Sequence, residues 1–163
     1  MIIMGIDPGI ARTGFGVVSK NYRPKSKSQN RLKCLDYGVI QTNLLLSPEQ
    51  RLRRLHIELF KLLRKYKPKV LAVENLYFFK NLKTAIPVSE AKGVILLAAA
   101  KKNIKVVQLT PLEVKMGICG YGRADKRQIQ RMIKESLGLE ELPKPDDAAD
   151  ALAIAFCYAI KNC

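Results

Sequence analysis

Residues 1–9, MIIMGIDPG, decide how the rest of the chain is read. An apolar, β-prone run over residues 2–6 meets Asp7, and Pro8-Gly9 ends it at once, because proline and glycine break strands and open turns. The same device recurs at 70–74, VLAVE, where a continuous apolar run carries Glu74 at its end. An unbroken apolar strand of this kind is buried on both faces of a sheet. In an open α/β sheet, ligands bind at the carboxyl ends of the strands, so parallel neighbours would bring Asp7 and Glu74 together there. For either acid alone the plainer reading is the first polar residue after a strand; the pair is what argues for chemistry.

Working outward, a second strand is expected over Gly14–Lys20. The polar, basic stretch NYRPKSKSQNR at 21–31 shows no periodicity and reads as a long, solvated hairpin connection to a third strand at Leu32–Thr42. Ser47-Pro48-Glu49-Gln50 is a capping box with proline at the first helical position. Leu52, Leu55, Leu59, Leu62 and Leu63 follow at helical spacing, and the helix ends before Pro68. After Val70–Glu74, a helix is expected from about Thr84 to Lys102, a short strand at Lys105–Leu109, and a second capping box at Thr110-Pro111-Leu112-Glu113. A glycine-rich loop at Gly117–Arg123 leads to a helix capped by Asp125 and Gln128 and stopped by Gly138, and a last helix opens at Asp146 or Asp147. Three hairpin strands followed by β-α-β units predict an α/β fold, a mixed sheet with helices on both faces. Its 163 residues suit one domain, 1–163.

Asp147 and Asp150 lie three residues apart, on one face of the first turn of a helix that continues ALAIAFCYAI. Acids at a helix start also serve as caps and complement the dipole. Three aspartates at one start exceed what a cap requires, and like charges this close repel unless a cation lies between them. With 29 Lys+Arg against 14 Asp+Glu, a formal charge of +15, the chain suits a polyanionic partner. Four acids gathered on the ligand edge conflict with that partner, and divalent metal resolves the conflict. Oxygen ligands of this kind suit Mg²⁺ or Mn²⁺, which could bind a scissile phosphate and activate water. The single His56 excludes histidine-pair chemistry and reads as a packing or surface residue. Cys34, Cys119, Cys157 and Cys163 show no zinc spacing, so free thiols and a cytoplasmic setting are expected. No stretch reads as a signal peptide or a membrane span.

The motifs GIDPGIARTGFGVV, VLAVENLYFFKN, SEAKGV, GICGYGRADKRQIQ and DDAADALAIA together resemble, in order and across nearly the whole chain, those of the RuvC-type Holliday junction resolvases. The resemblance implies a ribonuclease-H-like fold. It also implies a homodimer acting on four-way junctions, Mg²⁺-dependent paired nicking, and a branch-migration complex as partner. By motif position it implies Asp7, Glu74, Asp147 and Asp150 as catalytic metal ligands, Lys115 and Lys126 as contacts to the scissile region, and Tyr77 as an aromatic at the junction core. Phe78 and Phe79 follow Tyr77; one of the three is expected to anchor the loop in the core. The added hydroxyl of Tyr77, where the family commonly has phenylalanine, and the acid at Asp146 are departures without an assigned role.

Three other readings compete. One is another ribonuclease-H-like nuclease, including the RuvC-like kind that processes RNA. The second is a phosphotransferase of the sugar-kinase and actin class, whose first phosphate loop resembles Asp7, Gly9, Thr13 and Gly14 but whose fold needs a duplicated domain. The third is a non-catalytic basic nucleic-acid-binding protein, which leaves the strand-end acids unexplained. Helix 84–102, with Gly93 and the small Ala98, Ala99 and Ala100, is the expected dimer contact, since small residues permit close helix approach.

Overall fold

A computed structural model describes residues 1–21, 32–75 and 82–161 of the chain. Strands β1 (Ile2–Asp7), β2 (Arg12–Lys20) and β3 (Leu32–Gln41) open the fold as antiparallel neighbours. Then come α1 (Pro48–Tyr66), β4 (Val70–Glu74), α2 (Leu82–Ala100), β5 (Lys105–Leu109), α3 (Pro111–Cys119), α4 (Lys126–Leu137) and α5 (Asp146–Lys161). The sheet order is β3-β2-β1-β4-β5, with β4 parallel to both β1 and β5. This is the mixed sheet expected from the hairpin and β-α-β pattern.

Two apolar layers hold it. On one face Leu55, Leu59 and Leu63 of α1 and Ala91, Ile95, Ala98 and Ala99 of α2 cover Met4, Ile6, Leu71 and Val73. On the other, α5 joins Val114, Ile118, Ile133 and Leu137 of α3 and α4 over Ile3, Val18 and Ala72. Alternate residues of β1 and β4 thus enter opposite cores, which is why these strands read as continuously apolar. His56 stacks on Phe60 with ring centroids 5.5 Å apart, a packing role. Cys34, Cys119 and Cys157 are free thiols. No helix among the described residues is long and apolar enough to cross a membrane.

The caps stand where the sequence put them. The Gln50 side chain accepts from Ser47 N–H at 3.1 Å, Thr110 and Glu113 cap reciprocally at 3.1 and 2.8 Å, and Asp125 and Gln128 do so at 2.8 Å each way. The main differences from expectation fall in three elements. Strand β2 begins two residues early, at Arg12, because Arg12 pairs with Gln41 of β3. Helix α2 covers 82–100 rather than 84–102, carrying Pro87 inside it, and the left-handed Asn103 (φ 52°) turns the chain into β5. Gly117 lies within α3 rather than in a loop; a Cβ there would stand 2.6 Å from Cys157 Sγ, so glycine lets α3 close on α5. Gly120 (φ 78°) makes the actual stop.

Helix α5 sits directly on the sheet backbone. A Cβ on Gly5 would lie 2.1 Å from Ala151 O, one on Gly14 1.9 Å from Asp147 O, and one on Gly16 2.4 Å from Leu152 Cα. These are backbone atoms that cannot swing aside. Gly16→Ala should therefore destabilise the fold by about 1–3 kcal/mol or more, the usual cost of overpacking, measured by chemical denaturation. An unchanged midpoint would mean that the helix can ride up without loss.

Candidate active site

The register builds the site. Ile6 pairs with Val73 across the parallel β1/β4 ladder, so the next residues, Asp7 and Glu74, stand side by side at the carboxyl edge. They share a side-chain hydrogen bond. Helix α5 starts above the same edge: Gly14, opposite Asp7 on β2, lies under the Asp147 carbonyl. The charges of Asp150 and Asp147 both reach Asp7.

Burial first, then the neighbouring charge of Glu74 and of Asp150, pushes the Asp7 carboxyl up to about 8. Burial also raises Glu74, while its bond from Asp7 and the cations Lys92 and Lys126 pull the other way. Both acids are thus raised together, so the pair holds a proton more tightly than two separate carboxylates would.

Asp147 and Asp150 are not backbone caps. Arg12 Nε donates to Asp147 Oδ2 at 2.7 Å, and Lys126 Nζ donates to Asp150 Oδ2 at 2.9 Å. Lys126 also reaches Asp146 at 3.3 Å, so Asp146 shares that lysine at the exposed rim. The Pro145 carbonyl accepts from Ala148 and Ala149 N–H at 3.0 Å and begins the helix without them. Lys115 lines a small cavity of about 140 Å³ with Glu74, Asp150, Pro111 and Val114. Lys115 and Lys126 thus both border the acids. Tyr77, Phe78 and Phe79 lie outside the described residues, as does 22–31.

Sequence reading missed two contributors. Arg12 could have been found from the hairpin register, which turns the β1–β2 connection back over Asp7. Lys92 of α2 donates to Gln108 Oε1 at 2.7 Å and Asn75 Oδ1 at 3.2 Å, bridging the ends of β4 and β5 beside Glu74; only the three-dimensional crossing of α2 shows this. The turn itself is riveted. Thr42 accepts from Arg51 Nε and donates to Ile10 O, and Thr13 donates to Gly9 O.

The donor set fits a hard divalent cation. It consists of carboxylate oxygens, and burial together with their mutual repulsion lifts Asp7 far from its ordinary value, a cost that a dication would relieve. Among the described residues no three carboxylate, thiol or imidazole groups converge closely enough to form a cage by themselves. Arg12 and Lys126 supply the counter-charge of two of the acids.

The sequence matches the family model of the crossover junction endodeoxyribonuclease RuvC over residues 3–158. This chain belongs to the RuvC family. It is 49% identical over 162 residues to the RuvC of Caldicellulosiruptor saccharolyticus, covering 99% of this chain and 94% of that one. The RuvC of Fusobacterium nucleatum is also 49% identical, over 158 residues, with 97% and 80% covered. In structure the chain is similar to Thermus thermophilus RuvC, with a TM-score of 0.88, 33% identity and 99% and 95% of the two chains covered. It is likewise similar to T. thermophilus RuvC in complex with Holliday junction substrate, at a TM-score of 0.86 and 31% identity over the same shares. The ribonuclease-H-like fold expected from the motifs therefore holds.

A carboxyl raised in the folded state binds its proton more tightly there than in the unfolded chain. Its stabilising contribution is present at low pH and is lost as pH climbs from about 4 through about 8. In chelator, the melting temperature of wild type should thus fall relative to Asp7→Asn between pH 5 and pH 9. Parallel melting curves across that range would rule out the crowding of Asp7.

Proposed function

We propose that this chain is a divalent-metal-dependent endonuclease that resolves four-way DNA junctions by paired symmetric nicks. The observation that carries this reading is that Asp7 and Glu74, side by side on parallel strands, lie at the same sheet edge as Asp147 and Asp150 from the start of α5 and within reach of their charge, in a chain of formal charge +15. Family membership and the junction-bound T. thermophilus RuvC of the same fold support it. Residues 1–163 are read as one nuclease domain acting in the cytoplasm.

Asp7, Glu74, Asp147 and Asp150 would hold Mg²⁺, with Mn²⁺ able to substitute. The bound ions supply activation of a water and neutralisation of phosphate charge in an in-line displacement at phosphorus. The chain's own groups do the rest. The strand-end pair must release its proton for both acids to act as ligands. Lys115 and Lys126, beside the acids, offer ammonium donors to the phosphate backbone, and Arg12 adds a guanidinium at the rim. Tyr77, three residues past Glu74, would stack on an unpaired base at the junction core, a contact worth about 1–3 kcal/mol.

Resolution by paired nicks calls for two copies related by a two-fold axis. The homodimer contact proposed here is the outer stripe of α2. Ile86 and Leu97 are 69% and 53% exposed, and Glu90, Gly93 and Ala100 lie with them at helical spacing; a Cβ on Gly93 would touch nothing. Ala98 and Ala99 drop out of the expected contact because both are buried against the chain's own core. A branch-migration complex as partner rests on the family alone.

Cutting and binding should separate. Asp7→Asn, Glu74→Gln, Asp147→Asn and Asp150→Asn should each lower junction cleavage in Mg²⁺ by orders of magnitude, while junction affinity without metal holds level or rises; Asp146→Asn should cut almost normally. Folded Asp7→Asn and Glu74→Gln proteins that cut at the wild-type rate would end the metal-nuclease reading. Equal cutting of linear duplex at matched concentration would end the resolvase reading while leaving a nuclease. For the dimer, Leu97→Glu should shift the protein to monomer by light scattering, and an unshifted mass would exclude the α2 stripe.

A further inference from the structure

Asp7, Glu74, Asp147 and Asp150 gather on the carboxyl edge of the sheet, and a recess at the opposite edge is lined by the reverse charge. There α1 and α2 end, and β4 and β5 begin, around a recess of about 510 Å³. Arg64, Lys67, Lys69 and Lys102 line it together with Pro68 and Asn103, and no acid does. All four cations are exposed. Among the described residues none of them has an ion-pair partner, although Lys102 Nζ lies 4.5 Å from the Phe60 ring centre. The nearby acid Asp36 is engaged with Lys65 and Tyr66.

Basic residues at helix C-termini ordinarily complement the macrodipole. That role falls to Arg64 and Lys65 in the last turn of α1. It does not account for Lys67 and Lys69, which lie past the helix. Lys67 is also in the left-handed region, φ 46°, at the C-cap of α1, where glycine would relax the backbone. A strained non-glycine residue points to a function for its side chain, and the side chain here is an ammonium aimed at a cationic recess.

We infer that this recess is a second DNA-binding site, in which Lys67, Lys69, Arg64 and Lys102 grip the phosphate backbone of a duplex segment other than the one held at the catalytic edge. The inference rests on the DNA-acting reading above. Phosphate is the chemistry that unpaired, clustered ammonium and guanidinium groups recognise, and backbone contact of this kind is independent of sequence. A protein engaged with a junction through one edge could then tether a neighbouring duplex through the other.

The test uses the full chain, saturated with unlabelled four-way junction in Ca²⁺, to which a fluorescent linear duplex is added at several salt concentrations. Wild type should capture the duplex, and Lys67→Ala/Lys69→Ala/Lys102→Ala should lose that capture while nicking junctions in Mg²⁺ at the wild-type rate. Lys67→Gly should melt higher than wild type and yet capture more weakly, with the log–log salt slope reduced by about 0.9, the value of one phosphate contact. No capture by wild type, or equal capture by the triple variant, overturns the site. A Lys67→Gly protein that loses stability and capture together overturns the reading of its strained backbone. Pyrophosphate and ATP, titrated in parallel, separate a small-anion site from a DNA site: lysine-dependent binding of either without duplex capture also overturns the proposal. Absence of junction cutting by wild type would refute the resolvase reading and leave the capture measurement intact.

Discussion

Everything at the carboxyl edge depends on how closely α5 can lie on β1 and β2. Gly5, Gly14 and Gly16 remove the side chains that would hold it off, and Ala151, Leu152 and Ala155 meet their backbone directly. Contact at backbone range leaves little freedom to slide or tilt, because the interlocking surfaces are main chain rather than rotatable side chains. The first turn of α5 is thereby fixed over the ends of two strands, and its aspartates inherit the precision of the sheet. A site assembled from a strand pair and a helix start gains rigidity that one built on loops lacks.

The edge is costly to the fold. Asp7 and Glu74 stand half-buried beside each other, and the strand pairing that places them is the centre of the sheet. Burial of like charge must be offset elsewhere. The two apolar layers above and below β1 and β4 supply that offset, and the Thr42–Arg51 rivet keeps the turn after Asp7 from relaxing away. Strain is held where chemistry needs it and compensated by packing some distance off.

Much of this was legible in the residues. Continuous apolar strands, three capping boxes and the stop glycine at 138 carry local signals that tertiary structure did not override, and the two strand-end acids follow from the β-α-β pattern once the strands are parallel. What was not legible depends on distance in three dimensions. Gly117 looks like a loop residue until α5 is seen against it, and Ala98 and Ala99 look like contact residues until they are found facing their own core. Asp147 and Asp150 read equally as caps because a helix start gives both roles the same spacing. Only their partners, Arg12 from a hairpin and Lys126 from another helix, separate the two.

Those partners have a thermodynamic consequence. Arg12 and Lys126 each satisfy a carboxylate of the proposed metal site, so they stand in two competitions at once. A divalent ion competes with them for Asp147 and Asp150, and a nucleic-acid phosphate competes with those acids for the guanidinium and the ammonium. Either ligand, on arriving, releases the group the other requires. By linkage the coupling is reciprocal: phosphate uptake must tighten cation uptake by the same factor that cation uptake tightens phosphate. If the edge takes up both ligands, the two ion pairs at its rim would make it a single cooperative receptor that favours having both over holding either alone.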